Sequence, residues 1–65
     1  MKSYSSQEIL RLLQDDGWFI KNQEGSHVQL KHPVKRGKVT VPHPRKDLPS
    51  RTIRSILRQA ELLTD

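Results

Sequence analysis

Residues 25–33 read Gly-Ser-His-Val-Gln-Leu-Lys-His-Pro, and this stretch predicts a tight turn followed by a β-strand. Gly25 suits the turn because glycine adopts positive φ without steric cost. From His27 onward polar and apolar side chains alternate, so Val28 and Leu30 share one face of the strand. The pattern predicts a sheet with one buried face and one open face, and it places a histidine and a lysine on the open face.

The chain before and after this strand predicts a helix and two further strands. A capping box that starts at Ser5, an apolar stripe and a terminal glycine predict a helix over about residues 6–16. Residues 18–22 and 38–41 are rich in aromatic and β-branched side chains, which favours strands. Pro42 is expected to end the last strand because proline has no N–H to donate.

A second helix is predicted to start at or near Pro49, with Ser50 or Asp47 as the candidate cap. Its apolar residues repeat at helical spacing, and arginines recur on another face. The apolar positions are Ile53, Ile56, Leu57, Ala60 and Leu63. The resulting order is α-β-β-β-α, an α+β fold with a three-stranded antiparallel sheet and both helices on one face. We expect residues 1–65 to form one domain.

Composition limits the class of protein. The chain has 65 residues, no cysteine and a net charge of +5. A chain of this size buries a small core, and no disulfide or Cys-ligated zinc site can stabilise it. Apolar runs reach three residues at most, which predicts no membrane span and no signal peptide and favours a cytoplasmic protein.

Positive charge is concentrated in the second half of the chain. Residues 1–30 carry a net charge of −1, whereas residues 31–65 carry +6. This asymmetry favours a polyanionic partner such as nucleic acid. Charge alone leaves a second interpretation open, in which the basic surface only keeps the protein in solution.

Taken in chain order, the motifs resemble those of HicA toxins over nearly the whole sequence. The segments that carry the resemblance are Gly17-Trp18, Gly25-Ser26-His27, Lys31-His32-Pro33, Thr40-Val41-Pro42-His43-Pro44, Lys46-Asp47-Leu48-Pro49 and Thr52-Ile53-Arg54-Ser55-Ile56-Leu57-Arg58-Gln59-Ala60. The resemblance implies a fold like that of a double-stranded-RNA-binding domain. It also implies an endoribonuclease that cleaves mRNA, inhibits translation and is neutralised by a HicB-type antitoxin.

The family's catalytic residue is the histidine of Gly-Ser-His, so the resemblance assigns that role to His27. The sequence departs from the family at three positions: Val28 stands where many members have a second histidine, and Arg51 and Glu61 stand where glycine is common. Because the alternation turns Val28 inward, the absence of the second histidine is not expected to deprive the site of its acid/base group.

RNA can be cleaved without a metal ion or cofactor when its 2′-hydroxyl attacks the adjacent phosphate. The reaction needs a base for the hydroxyl, an acid for the leaving 5′-oxygen and cations for the developing charge. Histidine can take either proton role near neutral pH. The candidate RNA-binding residues are Gly25, Ser26, Lys31, Lys38, Arg51, Arg54 and Arg58.

The residue pattern keeps other interpretations open. A non-catalytic RNA-binding module of the same fold would use the same cations for phosphates, and a protein-interaction domain would use them for an acidic partner. His32 and His43 each adjoin a proline at a strand end and are interpreted as loop histidines with local hydrogen bonds. A zinc site formed by the three histidines is disfavoured because the chain lacks clustered ligand spacing.

Overall fold

A computed structural model describes residues 3–63 and shows the elements in the predicted order. They are α1 (Ser6–Asp15), β1 (Phe19–Glu24), β2 (His27–Lys31), β3 (Val39–Pro42) and α2 (Ser50–Gln59). The strands form one antiparallel sheet in the order β1-β2-β3. Both helices pack on one face of the sheet, which confirms the predicted α-β-β-β-α fold.

The core lies between the two helices and the inward face of β2 and β3. Val28 and Leu30 of β2 and Val39 and Val41 of β3 are at most 1% exposed, as the alternation predicts. They pack with Ile9, Leu10, Leu13, Trp18, Leu48, Ile56 and Ala60. Burial of one such aliphatic side chain stabilises the fold by about 1.5–3 kcal/mol, so this single layer of contacts is the main favourable term.

The predicted signals set both ends of α1. Ser5 Oγ accepts a hydrogen bond from the backbone N–H of Glu8, and the Glu8 carboxylate accepts one from the backbone N–H of Ser5, which confirms the capping box. At the other end Gly17 has φ +104°, a conformation that favours glycine. The N–H groups of Gly17 and Trp18 then return to the last turn, as in a Schellman motif. The helix ends at Asp15, one residue before the predicted end, because Asp16 is the C-cap.

The segment that follows β2 folds back onto the end of α1 through His32. Its Nδ1 accepts hydrogen bonds from the backbone N–H groups of Val34 and Lys35, both at 3.0 Å. Nε2 therefore carries the proton and donates to the carbonyl of Asp16 at 2.7 Å. The ring also meets Trp18 edge to face, with centroids 5.2 Å apart. His32 thus makes the hydrogen bonds predicted for a loop histidine, with Nδ1 as the acceptor and Nε2 as the donor.

Lys35 joins the C-terminal ends of the two helices. Its Nζ lies 2.6 Å from Asp16 Oδ2 and donates a second hydrogen bond to the carbonyl of Ala60 at 3.0 Å. The hydrogen bond from Lys35 lowers the pKa of Asp16 below its usual 3.8. An acidic residue at a helix C-terminus is unfavourable for the helix dipole, and this ion pair supplies the compensation that the sequence did not reveal.

β1 differs from its prediction in length and in burial. It runs from Phe19 to Glu24 rather than over residues 18–22, and Trp18 precedes it as a core residue that is 2% exposed. Phe19 lies on the open face and is 50% exposed. Ile20 faces the core side opposite Leu30 but stays 46% exposed, because β1 is an edge strand whose register shifts immediately after Ile20.

Two further boundaries differ from the sequence prediction. β3 begins one residue late, at Val39, and Pro42 is its last residue rather than the residue that stops it. In α2 the N-cap is Pro49, and neither predicted candidate supplies a side-chain cap. Leu48, which lies outside the predicted helices and strands, is 3% exposed and pairs with Tyr4 in an isolated bridge. Over residues 3–63, no helix is both long and apolar enough to span a bilayer.

Gly17→Ala should destabilise the fold by about 2–4 kcal/mol, because the added Cβ would take positive φ and displace a hydrogen-bonded ring. That Cβ would lie 2.7 Å from His32 Nε2. Gly37→Ala is the matched control, since Gly37 has φ +81° but a Cβ added there would have no atom within 4 Å. Urea unfolding should give a smaller loss for the control, about 1–2 kcal/mol. Equal losses would contradict the role given to His32.

Asp16→Asn should lower stability near neutral pH and abolish one part of its pH dependence. A folded-state pKa below the unfolded-state value means that the ion pair stabilises the fold fully above about pH 4 and is lost as pH falls through the folded-state pKa. Urea midpoints of parent and variant should therefore differ at about pH 6–7 and converge towards pH 2. Asp15→Asn, which removes an exposed neighbouring carboxylate, is the control and should keep the parent's pH dependence.

Candidate functional site

His27 is the first residue of β2 and follows directly after the two-residue turn of Gly25 and Ser26. Gly25 has φ +55°, the left-handed conformation that a turn of this kind requires. His27 pairs with Glu24 in β1 and with Pro42 in β3, so it lies at one end of all three strands. Its side chain is exposed, as expected for the open face, because the neighbouring Val28 is buried on the opposite face.

Polar side chains surround His27 on this open face. Glu24 lies directly across the β1–β2 ladder, and its carboxylate accepts a hydrogen bond from Asn22 Nδ2 at 3.1 Å. Gln29 follows His27 on the same face of β2 and pairs with Thr40 of β3. The face therefore offers an imidazole, a carboxylate and amide groups to a ligand, and neither helix covers it.

The two predicted lysines lie at the other end of this face. Lys31 is four residues beyond His27 on β2, which at the rise of a strand is about 13 Å. The β2–β3 register pairs Leu30 with Val39, and its continuation puts Lys38 opposite Lys31. Both lysines therefore lie at the end of the strands away from His27.

The predicted arginines line a separate groove on α2. Arg51, Arg54 and Arg58, with Ser50 and Ser55, surround a groove of about 450 Å³. The helix runs beside the free edge of β3, since the side-chain oxygen of Gln59 accepts a hydrogen bond from the Thr40 N–H at 3.4 Å. These arginines form a basic surface at the flank of the sheet.

A third group of residues, absent from the sequence prediction, lies at the His27 end of the sheet. The backbone N–H of His43 donates to the carbonyl of Ser26 at 2.8 Å, which continues the β2–β3 ladder past His27. His43 Nδ1 and Ser6 Oγ are hydrogen-bonded at 2.7 Å, and Ser6 is 1% exposed. The Arg45 N–H donates to Ser6 Oγ at 2.9 Å, and the Ser6 N–H donates to the Arg45 carbonyl at the same distance. We call these contacts the Ser6 clamp.

Sequence reasoning missed Glu24 and the Ser6 clamp for different reasons. The predicted first strand ended at residue 22 and gave Glu24 no role, although a two-residue turn at 25–26 places it opposite His27 by counting alone. The clamp joins residues 37 and 39 positions apart, and no local pattern signals such a contact. Among residues 3–63, no three His, Cys, Asp or Glu side chains are grouped so as to hold a metal ion.

Comparison with known proteins identifies the family to which the chain belongs. The family model described as the HicA toxin of bacterial toxin–antitoxin systems matches residues 6–62. A solved structure titled "Toxin-Antitoxin complex from Streptococcus pneumoniae" has a chain that is 30% identical, with a TM-score of 0.76. That match covers 89% of this chain and 97% of the other. No curated protein matches the sequence significantly. With the fold, the position of Gly-Ser-His and the family match in agreement, the chain belongs to the HicA toxin family of bacterial toxin–antitoxin systems.

Proposed function

We propose that this toxin is an endoribonuclease that cleaves mRNA in the cytoplasm, inhibits translation and is neutralised by a HicB-type antitoxin. The observation that carries the proposal is the exposed His27 at the start of β2, on an open sheet face in a chain of the HicA toxin family. A toxin needs a group that acts on a cellular target. His27 is the exposed imidazole of the described chain, since His32 is held by backbone groups and His43 by Ser6.

The proposed reaction uses the RNA as its own nucleophile. The 2′-hydroxyl loses its proton and attacks the adjacent phosphorus, and the bond from phosphorus to the 5′-oxygen of the next nucleotide breaks as that oxygen gains a proton. The products are a 2′,3′-cyclic phosphate and a 5′-hydroxyl, so no water is consumed and no metal-bound hydroxide is required. His27 carries out one of the two proton transfers.

The cations supply binding along the RNA chain. Lys31 and Lys38 lie about one strand length from His27. This spacing suits phosphates further along the RNA backbone than the phosphate that is cleaved. The turn residues Gly25 and Ser26 bring backbone close to the reacting phosphate. Arg51, Arg54 and Arg58 add a second basic surface on α2, which serves phosphate binding that is independent of sequence.

An antitoxin partner is supported by the family and by charge. The similar Streptococcus pneumoniae chain comes from a toxin–antitoxin complex. The net charge of +5 would favour fast association with an acidic partner. The partner that we propose is an acidic HicB-type antitoxin that covers His27 or blocks the path of the RNA.

A non-catalytic RNA-binding module is the alternative that one observation favours. Phe19 lies on the open face and is half exposed, in a position to stack with a base. The same face could therefore hold RNA without cutting it. A protein-interaction domain with a basic surface is the third possibility, and the following experiments separate the three.

His27→Ala should abolish cleavage while leaving RNA bound. General acid–base catalysis contributes roughly 10²–10⁴-fold, so the cleavage rate in chelator-containing buffer should fall at least about a hundredfold. Lys21→Ala, an exposed change on the adjacent strand, is the control and should cleave like the parent. Induced expression without antitoxin should arrest growth and fragment mRNA only with the parent or the control. Intact mRNA with folded parent protein would support the binding module instead.

Arg51→Gln combined with Arg54→Gln should weaken RNA binding evenly across sequences. Each lost phosphate contact should reduce the salt dependence of log Kd by about 0.7 for single-stranded RNA. The affinity of the antitoxin should be measured on the same proteins. A loss confined to the antitoxin would show that the α2 groove is a protein-docking surface and would favour the third possibility.

A further inference from the structure

We propose that the groove formed by the Ser6 clamp is a second phosphate-binding site, for RNA that passes round the end of the sheet where His27 lies. This inference rests on the proposed function and extends it to a groove whose residues were not among the predicted RNA-binding residues. The groove has a volume of about 400 Å³ and is lined by Ser5, Ser6, Gln7, His43, Pro44, Arg45 and Lys46.

Its position follows from the strand register. His27 pairs with Pro42, and the next backbone contact joins the His43 N–H to the Ser26 carbonyl. The groove therefore lies at the same end of the sheet as His27 but on the helix side, because the His43 ring bonds to Ser6 of α1. Lys31 and Lys38 lie at the far end of the strands. Among the cationic residues of the described chain, Arg45 and Lys46 lie in the segment that directly follows β3 at the His27 end of the sheet.

The side chains of the groove suit a phosphate. Arg45 and Lys46 are exposed, and neither makes an ion pair with another residue of 3–63. An arginine fork and a lysine ammonium are the usual ligands of phosphate oxygens. His43 adds an imidazole whose Nε2 has no hydrogen bond within the described chain.

The nearby carboxylates lie outside the groove and have other partners. The Glu8 carboxylate is held on the Ser5 N–H by the capping box, and it lines a different groove with Arg11. The Asp47 carboxylate accepts a hydrogen bond from Ser3 Oγ at 2.6 Å. Neither residue lines the groove of the Ser6 clamp.

The clamp also fixes the shape of the groove. The buried Ser6 hydroxyl lies 2.7 Å from the His43 ring and 2.9 Å from the Arg45 N–H, so the ring and the following backbone share one anchor. The backbone that carries Arg45 is therefore held in place before a ligand binds, which lowers the entropy cost of binding.

The test measures RNA affinity in a His27→Ala background, where no cleavage interferes. In that background Arg45→Gln/Lys46→Gln is compared with Lys21→Gln/Arg36→Gln, which removes the same charge from exposed residues outside the groove. Fluorescence anisotropy with a labelled single-stranded oligoribonucleotide gives Kd over a range of salt concentrations. The groove variant should bind about tenfold more weakly at low salt, and the slope of log Kd against log salt should fall by about 0.7 for one lost phosphate.

The outcomes separate this inference from the proposed function. Equal affinities and slopes for the groove variant and its charge control would overturn the second site. So would a loss that appears only in the affinity for the antitoxin. Absence of cleavage by the parent would overturn the nuclease but leave this result readable, because binding is measured without turnover. With the nuclease active, the groove variant should also raise KM for RNA.

Discussion

The hydrogen bonds at the end of α1 hold the helices and the sheet in one arrangement. The chain leaves β2, turns at His32 and returns its ring and the Lys35 ammonium to Asp16, while Lys35 also reaches Ala60 at the end of α2. Carbonyl groups at helix ends have no partner within the helix, and burial without one is costly. The segment of residues 32–35 therefore supplies a hydrogen-bond donor to a carbonyl at the C-terminal end of each helix. Gly17 is required because any side chain there would meet the His32 ring.

This arrangement explains why one face of the sheet remains free. The Ser6 clamp fixes the beginning of α1 and the His32 and Lys35 contacts fix its end, so the helix is anchored at both termini on the core side. A chain of 65 residues has little apolar surface to bury, and it uses that surface on the helix side alone. The face that carries His27 takes no part in the core, which leaves its side chains available for a ligand.

Local rules predicted much of the fold, and contacts between distant residues account for most of what they missed. The capping box at Ser5, the terminal Gly17 and the alternation in β2 depend on neighbouring residues, and each is confirmed. The bounds of β1 and β3 were wrong because pairing with β2, rather than propensity, decides where an edge strand ends. The clamp and the Asp16–Lys35 pair arise only when residues 19 to 39 positions apart meet. Among the site residues, strand alternation placed His27 and Lys31 on one face, whereas their separation along β2 argues against a single cluster.

The distribution of charge bears on how an antitoxin could neutralise this toxin. His27 lies at one end of the open face, Lys31 and Lys38 at the other, and the arginines of α2 at the flank. On the proposed function, a partner that docks only on α2 would leave His27 open and would act only by competing for phosphate contacts. Such competition weakens as salt rises, because exposed charges are screened over about 8–10 Å. On the proposed function, a partner that covers the β2 face would exclude the scissile phosphate directly rather than by competition between charges. The position of His27 at one end of the open face therefore favours occlusion of that end as the way to keep the proposed nuclease inactive.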